Sequence, residues 1–281
     1  MKKVWLITGA SSGLGKALAE AVIAQGDLAV ITARRLDRLE QIAKGYKNLV
    51  LPLAVDITDA TARETAIQHF GRIDVLANIA GRGVVGACEE FSLAQLREQM
   101  ELNFFAAAEM SKAVLPQMRS QGSGHILTLS SIAGLVAMNA AGPYCAAKFA
   151  IEGWTESLAL EVKSLGIHVT LVEPGAFRTE FASDVNMRPE QRIDVYRPVV
   201  EPFEKYLDGS SGQQLGDPQK AAQRMLEVVQ SDNPPTRLML GRDAFSIWDS
   251  TIAARNQDIN EWRERGEDTA FASAEYVEIT L

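Results

Sequence analysis

Only two cysteines, Cys88 and Cys145, occur in 281 residues, and histidine is nearly as scarce, at three. Two thiols cannot build a disulfide framework, and with histidines scattered at 69, 125 and 168 they make no recognisable metal set. They read as reduced thiols of a cytoplasmic protein. Positive charge is in deficit: 28 Lys and Arg stand against 36 Asp and Glu, a formal net charge of −8. That balance argues against a nucleic-acid backbone or an anionic membrane as main partner, while leaving room for a local basic pocket. Long apolar runs are missing. Lys2 and Lys3 precede only Val4 to Ile7, too short for the core of a signal peptide, and no uninterrupted run reaches membrane-spanning length. Internal repeats, low-complexity tracts and a domain-splitting linker are also absent. What remains is 47% hydrophobic and 23% charged, ordinary for a globular protein and long enough to bury a large core in one domain.

The stretch Tyr144-Cys145-Ala146-Ala147-Lys148 puts a tyrosine and a lysine four apart, on one face of a helix. A free tyrosine, with a pKa of about 10, is a poor acid–base group near neutrality. A neighbouring ammonium is expected to lower that value, so that Tyr144 exchanges a proton with an alcohol or carbonyl oxygen. Ser131 follows an apolar, strand-like segment and could hold the same oxygen. Alone, such a Tyr–Lys pair is common on helices; its company gives it weight.

That company begins at the start of the chain. Val4 to Thr8 reads as a buried strand, Gly9 to Gly15 as a glycine turn, and Lys16 to Gln25 as a helix. Strand, glycine turn and helix is the context of a dinucleotide site: glycines let the backbone approach a pyrophosphate, and the helix start offers free N–H groups. The spacing is G-x-x-x-G-x-G. The second strand, Leu28 to Ala33, ends in Arg34-Arg35 rather than an acid, and arginine suits a 2′-phosphate. This favours NADP over NAD, with Arg34 the preferred contact.

A third strand, Leu49 to Val55, contains Pro52 and so belongs at a sheet edge. Asp56 follows it and could accept from an adenine amino group; Asp56, Thr58 or Asp59 could equally cap the next helix. Asp74 to Asn78 is the fourth strand, and Ala80, Gly81 and Gly83 turn the backbone close to a ligand. A long bent helical region runs from Ser92 to about Ser120. Within it, Asn103 sits among apolar neighbours and could order a water or bond helix carbonyls. His125 to Ser130 is the fifth strand. The apolar loop from Ala133 to Gly142 could line a substrate pocket or be packing. Ile167 to Val172 is the sixth strand, in which His168 reads as structural. Residues 181 to 216 show no period and read as a long irregular lid. Asp217-Pro218 caps a helix to about Gln230, and Arg237 to Leu240 is the last strand. Beyond Gly241, a helix around Phe245 to Arg255 is expected, with Ile259 and Trp262 packing a second.

Taken together, these residues resemble the compact branch of the short-chain dehydrogenases/reductases. The matching pieces are TGASSGLG at 8–15, Asp56, NIAG at 78–81, Asn103, Ser131, YCAAK at 144–148 and PGAFRT at 174–179. Ile79 departs from the pattern, where the family often has a second asparagine. The resemblance implies a doubly wound, Rossmann-type parallel α/β sheet of about seven strands with helices on both faces. The chain itself is read as one domain over 1–281, with a substrate lid around 181–216 and a C-terminal extension at 241–281. The implied catalytic set is Asn103, Ser131, Tyr144 and Lys148. Lys148 also holds the nicotinamide ribose, and Asn103 supports a water relay reaching it. Gly9, Ser11, Ser12, Gly13, Leu14 and Gly15 would line the phosphates and ribose. Arg34 would meet the 2′-phosphate, and Asp56 with Ile57 the adenine. Asn78, Ala80 and Gly81 would border the adenosine-side ribose and cleft, and Pro174, Gly175, Phe177 and Thr179 the nicotinamide end. No metal is implied.

The expected activity is hydride transfer between NADP(H), NAD(H) being second choice, and a fairly apolar ketone or secondary alcohol in a cytoplasmic homodimer or homotetramer. A silent NADP-binding regulator would have no need of Ser131, Tyr144 and Lys148 together. A dehydratase or epimerase using the same Tyr–Lys pair would need a larger C-terminal domain.

Overall fold

The computed structural model describes residues 2–68, 71–182, 186–271 and 273–275. Alternating apolar segments form the strands β1 (Val4–Thr8), β2 (Leu28–Ala33), β3 (Val50–Ala54), β4 (Val75–Asn78), β5 (Gly124–Leu129), β6 (Ile167–Pro174) and β7 (Arg237–Leu240). They make one parallel sheet in the order β3-β2-β1-β4-β5-β6-β7. Pro52 indeed lies in an edge strand, where a missing N–H costs little.

The sheet is buried on both faces, as parallel sheets require. In β1 the period of two divides the side chains. Trp5 and Ile7 pack under α1 (Gly13–Ala24), α2 (Leu36–Ala43) and α8 (Pro218–Gln230). Val4 and Leu6 pack on the other face, with Met110, Val114 and Met118 of α5 (Ala106–Gln121) and Leu158 of α6 (Gly142–Val162). Strand order reverses between β1 and β4, so the carboxyl ends of these strands diverge. In open α/β sheets a ligand crevice forms at that point.

Turn and cap chemistry fixes the remaining helices. Asp59 accepts from the Ala62 N–H at the start of α3 (Ala60–Gln68), Ser92 from Gln95 at α4 (Leu93–Met100), and Asp217 from Gln219 at α8. The expected bent helix from Ser92 is two helices, α4 and α5, joined by the π-helical turn Glu101–Phe105.

Two expectations need correction. The lid is not uniformly irregular, because α7 (Arg197–Ser210) runs through it. Val200, Phe203 and Leu207 face the body at helical spacing, but Pro198, Pro202 and Gly209 obscure that period. Residues 183–185 of the expected lid lie outside the described residues. The C-terminal extension is one helix, α9 (Arg242–Glu267), rather than two. Ile259 and Trp262 stay exposed; Trp262 carries the Arg265 guanidinium, 4.8 Å from its ring, instead of packing on the body. Residues 272 and 276–281 of the extension lie outside the described residues.

Candidate active site

The cavity at the diverging strand ends has a volume of about 1270 Å³. Its floor at one end is the glycine turn. Gly9 and Gly13 adopt φ of +68° and +55°, which favour glycine. A Cβ on Gly9 would lie 2.7 Å from Ala80 Cα, and one on Gly15 would lie 2.4 Å from the Gly9 oxygen. Only hydrogen fits at either position. Ser12 precedes α1 in extended conformation and its side chain caps nothing. The first N–H groups of α1 are therefore left for an anion at the positive end of the helix. Thr8, the first residue of the TGASSGLG motif, fixes the opposite lip: its Oγ1 accepts from the N–H groups of Ile79 (3.0 Å) and Ala80 (3.1 Å).

Arg34 and Arg35 both line this end. Arg35, the residue not preferred from sequence, donates to Ser11 Oγ at 3.3 Å. Glu180, just past the loop after β6, takes Arg38 on both oxygens at 2.9 Å and so bridges the cleft. Asp56 lines the cavity with Ile57, yet it also closes a local turn on Thr58, at 3.0 Å to the N–H and 2.7 Å to the hydroxyl. These bonds, aided by the Arg34 charge, hold its carboxyl below the usual range.

The proposed reacting groups meet at the middle of the cavity. Ser131 begins a short 3-10 turn, Ile132–Gly134, with Oγ accepting from the Ala133 N–H at 3.1 Å, and it stands beside Tyr144 in the cavity wall. Lys148, one turn beyond Tyr144, is buried and donates to the Leu129 carbonyl at 2.7 Å. Its Nζ lies 5.7 Å from the centre of the Tyr144 ring. Asn103 occupies the π-helical turn, donating to the carbonyls of Arg82 (3.0 Å) and Gln99 (3.3 Å) and accepting from the Arg82 N–H. A Cβ on Gly81 would lie 2.6 Å from Asn103 Oδ1 and 3.7 Å from Lys148 Nζ, which places the three together.

The electrostatics differ from the sequence expectation. Burial pushes the Tyr144 hydroxyl up, outweighing the opposing influence of the nearby Ser131 hydroxyl, so the lysine does not lower it. Removal from water disfavours the phenolate more than an ammonium on the far side of the ring favours it. Burial also brings Lys148 down to about 8, opposed by the charge of Glu152 one turn on. Near neutrality the tyrosine is a protonated donor and the lysine still a cation.

Gly9, Ser11, Ser12, Gly13, Leu14, Gly15, Ala80 and Gly81 line the cavity, as do Pro174, Gly175, Phe177 and Thr179. Asn78, Asn103 and Lys148 lie behind the wall. Asn78 does not border the cleft: its amide turns into α5, to the Ala107 carbonyl and Ser111 Oγ at 3.2 and 2.9 Å. The far half is apolar. Val136 and Met138 from the loop after Ser131 face Val199, Phe203, Tyr206 and Leu207 of α7, with Ile247 from α9. The α7 and α9 residues carried no motif, so their place in the wall was not readable from the chain.

The sheet and this cleft define a Rossmann-type, nucleotide-binding oxidoreductase. The family model described as short chain dehydrogenase matches residues 3–190, and the chain belongs to that family. The oxidoreductase BOA17 of Botryotinia fuckeliana is 37% identical over 269 residues, covering 94% of this chain and 98% of its own. A short-chain dehydrogenase from Streptomyces avermitilis superposes with a TM-score of 0.89 at 37% identity, covering 96% of this chain and 99% of its own. An alcohol dehydrogenase from Thermococcus sibiricus, solved with 5-hydroxy-NADP, superposes with a TM-score of 0.69 at 25% identity, covering 85% and 96%. Other structures of the same fold are solved with NAD or with NADP.

Proposed function

We propose that this chain is an NADP(H)-dependent oxidoreductase that interconverts a carbonyl and an alcohol on a fairly apolar ketone or secondary alcohol. One observation carries the reading: Ser131 and Tyr144 line a single cavity between a glycine-lined helix start and an apolar wall. The turn from Gly9 to Gly15 would hold the pyrophosphate, and Arg34, with Arg35 beside it, the 2′-phosphate. Asp56 and Ile57 would border the adenine, and Pro174, Gly175, Phe177 and Thr179 the nicotinamide end. The cofactor, when bound, supplies or accepts the hydride.

The protein provides position and a proton. The hydroxyls of Ser131 and Tyr144 hold the substrate oxygen, and developing negative charge there strengthens both bonds. Tyr144, kept protonated by burial, gives its proton to that oxygen in the direction of reduction. Lys148 holds positive charge beneath the tyrosine ring, and Asn103 at the rear of the cleft links toward it. The apolar wall excludes water from the reacting carbon.

The chain is read as one domain, cytoplasmic, with α7 as the lid helix. It is read as a homo-oligomer paired through the helices near 103–120 and 144–163, in keeping with Phe105, Phe149 and Leu160 exposed there. Fluorescence titration with NADPH and NADH, followed by absorbance of the reduced nicotinamide against a panel of aliphatic and aromatic ketones, tests the reading. NADPH should bind more tightly and be oxidised by apolar ketones. A protein that binds neither dinucleotide contradicts it.

A further inference from the structure

Between β7 and α9 the chain passes through Gly241, at φ +104°, and at once presents Asp243 on the first turn of α9. Asp243 belonged to no motif. Its Oδ2 accepts from the Ala176 N–H at 2.6 Å, a short, charge-assisted bond across 67 positions of sequence. The loop it grips is the one leaving β6. A Cβ on Gly175 would lie 2.4 Å from the same carboxylate, and one on Gly241 would lie 2.5 Å from Oδ1. The carboxylate is thus sandwiched between two glycines. The grip is reinforced by the Gly175 N–H donating to the Leu240 carbonyl at 2.8 Å. Asp243 and Gly175 both line the cavity. The next residue, Ala244, is fully buried against Ile132 and Val136, beside the Ser131 turn.

We propose that Asp243 is a positioning residue of the cofactor site, its carboxylate holding the Gly175–Phe177 turn in the conformation that receives the nicotinamide end of the dinucleotide. The proposal rests on the reading of this cleft as an NADP(H) site. It ties the start of α9 to cofactor binding: the helix that supplies Ile247 to the apolar wall also holds the turn beneath the nicotinamide.

Two ligands separate this role from general structural support. Adenosine 2′,5′-bisphosphate occupies only the adenosine half, whereas NADPH spans both halves. Asp243→Ala should weaken NADPH roughly ten- to hundredfold, the range for a hydrogen bond to a charged group. Adenosine 2′,5′-bisphosphate should stay within about twofold of its affinity for the unaltered protein. Asp243→Asn, whose amide oxygen can accept the same N–H, should recover most of the loss. Unchanged NADPH affinity in the alanine variant, or equal weakening of both ligands, overturns the proposal. Hydrogen exchange at the Ala176 amide gives a reading independent of any variant: protection is expected, and exchange at the unprotected rate overturns the proposal. An unaltered protein that binds neither ligand overturns the cofactor reading itself, a result distinct from the others.

Discussion

The buried ammonium of Lys148 donates at 2.7 Å to the carbonyl of Leu129, the last residue of β5. This bond joins the helix that carries Tyr144 to the strand that delivers Ser131. Two catalytic candidates from different elements are held in one frame by a third residue.

Tyr144→Phe removes the proton donor and keeps the ring. NADPH should bind within a few-fold of the unaltered protein, while turnover of ketones falls by roughly 10²–10⁴, the usual contribution of a placed acid. Pre-steady-state absorbance with saturating NADPH is the check; near-normal rates would remove Tyr144 from the mechanism.

Lys148→Met should trade activity for stability. Burial lowers Lys148 from 10.5 to about 8, so keeping it charged at neutral pH costs folding energy. Between these values the unfolded chain holds the proton and the folded protein does not, so Lys148 makes stability rise with pH from about 8 toward 10.5. Tyr144, pushed the other way, lowers stability above about pH 10. The variant should gain on the order of 1–3 kcal/mol at pH 7, after allowance for the lost Leu129 bond, and lose the rise between pH 8 and 10. Urea denaturation at several pH values measures both. A destabilised variant with an unaltered pH slope would contradict the burial argument.

Arg34→Ala should weaken NADPH roughly ten- to hundredfold and leave NADH nearly unchanged, because only the former offers a 2′-phosphate. Arg35→Ala should do the same to a smaller degree, since Arg35 is already engaged with Ser11. Equal losses for both cofactors in both variants would assign the pair to the pyrophosphate instead.

His125 carries an acid-stability prediction away from the cleft. It is buried, its Nε2 lies 3.0 Å from Thr170 Oγ1, and Thr170 donates to the Pro235 carbonyl, so Nε2 carries the proton. Burial and the neighbouring His168 lower its pKa to about 3. Below its ordinary value of 6.5 the unfolded chain takes up a proton that the folded protein refuses, so stability is lost as pH falls from 6.5 toward 3. His125→Gln keeps a donor for Thr170 and cannot titrate. The difference between the two stability curves should therefore close as pH falls from 7 to 5, by about 2 kcal/mol. A constant difference would show that His125 does not drive the acid limb.

What could be read in the chain, and what could not, divides along physical lines. The sheet was readable because buried parallel strands are short apolar runs bounded by turn residues, and Pro52 marked an edge by its missing donor. The glycine turn was readable because close backbone approach and positive φ demand glycine at fixed spacing, as Gly9, Gly13 and Gly15 show. The Tyr144–Lys148 pair was readable as a shared helix face. The direction of the tyrosine shift was not, because desolvation depends on what covers a group and not on its neighbours in sequence. Asn78 looked like a cleft residue by position, but its side chain turned toward α5. Thr8, Arg35 and Asp243 act through partners 24 to 72 positions away, which no local pattern encodes. Helix α7 was hidden by Pro198 in its first turn and by Pro202 inside it.

The central claim is transfer of hydride between NADPH and a carbonyl carbon. It is tested most directly with NADPH carrying deuterium at both C4 positions and the ketone that oxidises it fastest. Mass spectrometry of the product should find one deuterium, on the carbinol carbon. Product without deuterium, or conversion without net oxidation of NADPH, would contradict the account and favour a dehydratase or epimerase acting through the same tyrosine.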